Sequence, residues 1–289
     1  MGKTVDELAE EFGFTGVSFN EIFELRHSEE DTIDSLKTNG FFCDEEELRE
    51  KLEYAGERCA LYAGLIESLN KEINQVMKDI DCNVGDTYAK RKWLGISQTH
   101  RDVYDMMGFL TLLQMDAITT VIGLIQAQND TERKMLSKHA YTIIFEVREN
   151  VLFKKVSVGM RNYPAEIVNK DELNGFWKGI KAVFKEMIST KVSKSIRDNL
   201  DAHKNKSFME QIELYKKCDW STSVVNLFVL IRLIDTIQQY MDNIHDKLNV
   251  LFDHYQAFIE KRMKQFEEIL GQLRGSRDTF YHKKCETRD

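Results

Sequence analysis

A single proline, Pro164, stands in 289 residues, and this scarcity constrains the fold more than any other feature of the chain. β-sandwiches and barrels turn sharply many times and use proline and glycine at those turns. A chain that almost dispenses with proline, and whose apolar residues recur at three- and four-residue steps over long stretches, is predicted to be all-α. The periodicity is clearest from Asp44 to Ile80, through Leu48, Leu52, Ala55, Cys59, Tyr62, Leu65, Ile66, Leu69, Ile73 and Met77. It returns in residues 101–128, 131–156 and 171–200, and from Ser221 for about fifty residues.

The last four of these segments follow one another through short connections, which predicts an up-and-down four-helix bundle. The expected organisation is an acidic N-terminal helical region (1–88), a helical bundle (89–256), and a C-terminal helical extension with a polar tail (257–289). Residues 81–88, 201–221 and the segment around Pro164 are expected to be loops. The most apolar stretch, Met106 to Ala127, is long enough to span a bilayer, but it carries Asp116 near its middle together with Gln114 and Gln126. A mid-bilayer carboxylate is costly, so the stretch is read as a buried core helix, with no membrane partner. The N-terminus lacks a basic region followed by an apolar run. The five cysteines form no CxxC pair, which predicts reduced thiols and a cytoplasmic protein.

Charge is unevenly spread. Of 48 acidic and 40 basic residues, the first sixty positions hold 17 acids and 6 bases. Such a segment is a poor match for nucleic-acid phosphates. It argues against reading TVDELAEEFGFTGVSFNEI as a DNA-binding helix-turn-helix, and it suggests a cover for a basic surface elsewhere.

No phosphate-binding glycine loop, HExxH zinc motif, GxSxG elbow or dinucleotide fingerprint occurs. The predicted chemistry uses no cofactor and no metal. Instead, the segment KVSKSIRDNLDAHKNK (191–206) gathers five bases against two acids. A guanidinium grips a phosphate with a planar fork, and an imidazole exchanges protons near neutral pH, so Arg197 and His203 are suited to breaking an RNA backbone. On one continuous helix they would lie about 120° apart. They converge if the helix ends near Leu200 or if a second subunit contributes.

The run Arg197-Asp198-Asn199-Leu200-Asp201-Ala202-His203, at the end of the third bundle helix, resembles the Arg-x(4-6)-His signature of the HEPN superfamily. The resemblance covers residues 101–250. Two other stretches fit the bare spacing, Arg133 to His139 and Arg277 to His282, but only Arg197 has a polar follower and the right place in the helix order. The resemblance implies a metal-independent endoribonuclease of toxin or antiphage-defence type, acting as a homodimer on RNA. His203 would be the acid-base catalyst, Arg197 would bind the scissile phosphate and Asp198 would orient them. Lys194, Asn199, Lys204 and Lys206 would contact the substrate, and an antitoxin or defence-system protein would be a partner. Glu146, Arg148 and Glu149 on the preceding helix are candidates to add a polar group. A second basic stretch, Lys90-Arg91-Lys92-Trp93 with His100 and Arg101, is a candidate RNA contact in which Trp93 stacks on a base. The alternative reading is a non-catalytic all-helical scaffold for RNA binding or protein assembly.

Overall fold

The computed structural model describes residues 45–82, 87–187, 194–198 and 207–286. Among them every regular element is a helix and none is a strand, as the proline scarcity predicts. In chain order they are α1 (Glu45–Asp81), α2 (Thr87–Gln126), α3 (Asp130–Glu146), a π-helix (Val147–Val156), α4 (Ser157–Arg161), α5 (Lys170–Glu186), α6 (Phe208–Tyr215) and α7 (Trp220–Glu286).

Helix starts follow local chemistry. Three acids, Glu45 to Glu47, open α1, where negative charge suits the positive end of the helix dipole. Asn129 caps α3 by accepting from the Glu132 amide at 3.0 Å, and Asn169 caps α5 through the amides of Asp171 and Glu172. Asp219 accepts from the Thr222 amide at 2.7 Å ahead of α7.

Four sequence expectations need correction. The basic stretch from Lys90 lies inside α2, which starts at Thr87 rather than near residue 101. Residues 201–221 are not all loop. Ser207 and Glu210 form a reciprocal capping box, each side chain bonded to the other's backbone, and they start α6. The helix expected over 171–200 is not continuous: α5 ends at Glu186, and Met187 turns to ψ −173°. The helix expected over 131–156 changes at Val147 into a ten-residue π-helix, whose following Ser157 amide donates five residues back to Leu152. π-Helical turns of this kind are rare.

The chain divides into two compact units. One comprises residues up to Gly64 with Tyr104–Ile244; the other comprises Leu65–Val103 with the residues from His245 onward. In the first, α5 buries one face (Leu173, Phe176, Trp177, Ile180, Val183, Phe184), and α7 buries Val225, Leu230, Ile234, Ile237 and Met241. These are the residues that the three-and-four spacing selects. Within α2, Asp116 is exposed while Ala117 and Ile118 are fully buried, so the charge in the apolar run faces away from the core.

Lys90–Gln126 and Trp220–His254 are long and apolar enough to cross a membrane by length and composition. Half of the first apolar window and 72% of the second is buried within the protein, a property shared by core helices.

Polar groups register the helices of the first unit. Asp235 on α7 accepts from Lys51 on α1 at 2.8 Å, and its other oxygen accepts from the buried Gln114 amide on α2. Three residues further along α7, Gln238 donates to Thr111 of α2 at 2.9 Å. Removing the shared carboxylate strands an amide and an ammonium together. Asp235→Ala is therefore expected to cost about 2 kcal/mol, read as a lower midpoint in urea denaturation, whereas Gln239→Ala, at an exposed position one turn further along α7, leaves the midpoint within about 0.5 kcal/mol of wild type.

In the second unit, Trp93 is buried and packs against Phe252, with ring centroids 5.7 Å apart. Its ring faces the interior, so it offers no platform to a base, contrary to the expectation for this basic stretch. Neighbouring Lys90 is paired with Asp79 at 3.1 Å. His100 is buried against His245 (centroids 5.3 Å) and Phe252 (5.8 Å).

Candidate functional site

The site is built on two elements of the first unit. The C-terminal end of α3 supplies Phe145 and Glu146, and the helical segment 194–198 supplies Lys194, Arg197 and Asp198. The Arg197 guanidinium donates through Nε to Glu146 at 2.7 Å and through Nη1 to Asp198 at 2.7 Å. Its carbon lies 5.4 Å from the centre of the Phe145 ring, within reach of a cation–π attraction. Ile196, between Ser195 and Arg197, is fully buried and anchors the segment in the core.

The electrostatics follow from this geometry. The hydrogen bond that Arg197 donates to Asp198, reinforced by Glu146, raises the Arg197 pKa above its already high ordinary value despite the cost of desolvation. Arg197 is thus a permanent cation with 29% of its side chain open to solvent. It is not sealed into the core.

Glu146 sits where α3 gives way to the π-helix. Its second oxygen accepts from the Asn150 amide one turn on, and the Asn150 carbonyl in turn accepts from Lys154 at 3.1 Å. Of the other two polar candidates on this stretch, Arg148 pairs with neighbouring Glu149 at 3.4 Å and lies over the Phe184 ring at 6.0 Å.

The structure therefore brings together Arg197, Asp198 and Glu146, and leaves Lys194 exposed beside them. Asn199, His203, Lys204 and Lys206 lie outside the described residues. Of the two other spacing matches, Arg133 packs its guanidinium over Trp220 at 5.2 Å, a structural use, and the side chains around Arg277 lie outside those described. Among the described residues, no group of three or more His, Cys, Asp or Glu side chains could hold a metal ion. The described cysteines Cys59, Cys82 and Cys218 are free thiols, and burial pushes Cys218 up to about 11, away from nucleophilic use.

Comparisons with protein-family models, with curated proteins and with solved structures returned no match.

Proposed function

We propose that the chain is a metal-independent endoribonuclease of toxin or antiphage-defence type, built on a HEPN-like four-helix bundle and acting as a cytoplasmic homodimer. In this reading His203 takes the proton from a 2'-hydroxyl, the 2'-oxygen attacks the adjacent phosphorus, and the 5'-oxygen leaves with a proton returned by imidazole. The products are a 2',3'-cyclic phosphate and a 5'-hydroxyl. Arg197 neutralises the phosphate as negative charge accumulates. Asp198 fixes the guanidinium plane, and Lys194, Asn199, Lys204 and Lys206 hold the neighbouring backbone.

The observation that supports this most is the Arg197 arrangement itself. A partly open guanidinium, held near the surface by a carboxylate from the next residue and by a second from another helix, keeps a permanent positive charge where a phosphodiester would bind. Induced expression tests it in a growing culture. The wild type is expected to arrest growth, and Arg197→Ala, expressed to the same level, to relieve the arrest; an equal arrest by both proteins would assign the toxicity to something other than this site.

The alternative, a non-catalytic helical scaffold, also has an observation in its favour. Arg197 already satisfies two carboxylates, and α7 runs for 67 residues, a length suited to assembly. A scaffold neither cleaves RNA nor arrests growth through Arg197.

A further inference from the structure

The two carboxylates that grip Arg197 are not equivalent. Asp198 is its neighbour in sequence and stays beside it wherever the segment moves. Glu146 belongs to another element, and it holds the Nε–H, one of the donors that a side-on phosphate fork needs. A phosphodiester oxygen and the Glu146 carboxylate therefore compete for the same hydrogen. Glu146 also has somewhere to go: its other oxygen is already held by Asn150, itself linked to Lys154. If it turns from Arg197, its charge stays within reach of an amide and an ammonium on the π-helix.

We propose that Glu146 is a positioning residue and gate for the ribonuclease site: it holds the Arg197 guanidinium in the free protein and yields the Nε–H to an RNA phosphate. The inference rests on the ribonuclease reading, and it adds that RNA binding is opposed by an internal anion. Basal affinity is set by this exchange, and Asn150 receives the displaced carboxylate.

Two measurements on the full chain test it. The first follows solvent exchange of the Arg197 Nε–H by nitrogen-15 NMR without RNA, which reads the Glu146 contact alone. The second measures binding of a fluorescein-labelled 2'-O-methyl RNA, which the site cannot cleave. Glu146→Gln is expected to speed the exchange and to bind the RNA about fivefold tighter, the scale of one partly exposed ion pair. Glu146→Gln/Arg197→Ala is expected to lose that gain. Asn150→Ala, which leaves Glu146 wholly on Arg197, is expected to bind more weakly than wild type and gives a second reading should Glu146→Gln not fold.

Unchanged exchange and unchanged affinity in variants that bind RNA overturn the gate alone. A gain that persists without Arg197 does so as well. Faster exchange with no RNA bound by any variant overturns the ribonuclease reading, and the gate with it, leaving a plain ion pair.

Discussion

Arg197→Ala is expected to lower RNA cleavage by about a hundred- to a thousandfold, the scale on which removal of one preorganised charge donor slows a reaction that builds up negative charge. Stability is expected to change little. The guanidinium sits near the surface, its two carboxylate partners are about a third exposed, and such pairs contribute less than about 1 kcal/mol. Activity lost without a shift in the thermal midpoint therefore separates the chemical role from a structural one. Arg197→Lys keeps the charge but not the planar fork, so it is expected to recover part of the rate. His203→Ala is expected to match Arg197→Ala in effect, and the double variant to be little worse than either single one, because groups that act on one transition state are not additive. Equal cleavage by all of these proteins would remove both residues from the mechanism.

Acidification gives the second large effect, and it arises within the second unit. Burial lowers the His100 pKa from 6.5 to about 4; the neighbouring His245 pushes the same way, while the Asn249 hydrogen bond and the Asp253 charge oppose it without offsetting it. A base whose folded pKa is depressed is held neutral in the fold, while the unfolded chain takes up a proton below about 6.5. Stability from this group is therefore complete above pH 6.5 and is lost as the pH falls from there toward 4, below which no more is lost. The shift corresponds to about 3 kcal/mol. Urea denaturation at pH 7 and pH 4 reads it: the wild type is expected to lose about that much more than His100→Gln. Identical losses would mean that His100 takes up its proton as readily in the folded protein as in the unfolded chain.

What the sequence discloses depends on how far apart the interacting residues lie. The buried face of α5 and the stripe along α7 are legible because each is written in one helix at a spacing of three and four. The capping box at Ser207 and Glu210 is equally local, and its residues mark a helix start inside 201–221. The place of Trp93 is not legible in its own segment, where its neighbours are bases, because its neighbour in space, Phe252, lies on another helix. The same limit hides the contact that matters most. Arg197 and Asp198 are adjacent and stand in a recognisable motif, but nothing local selects Glu146 over Glu149 as the partner of Arg197. That choice depends on where α3 ends and the π-helix begins, and Val147–Val156 carries no residue pattern that marks the change. The buried pair of His100 and His245 is likewise a product of helix packing, with each histidine unremarkable in its own segment.

In the proposed reaction, side chains of this chain cleave RNA without a metal ion. The most direct measurement incubates the purified protein with single-stranded RNA in EDTA and identifies the new ends. The expected result is cleavage that EDTA does not diminish, 2',3'-cyclic phosphate and 5'-hydroxyl ends, and no products from His203→Ala prepared in the same way. Intact RNA with the wild-type protein, or equal cleavage by His203→Ala, would contradict it.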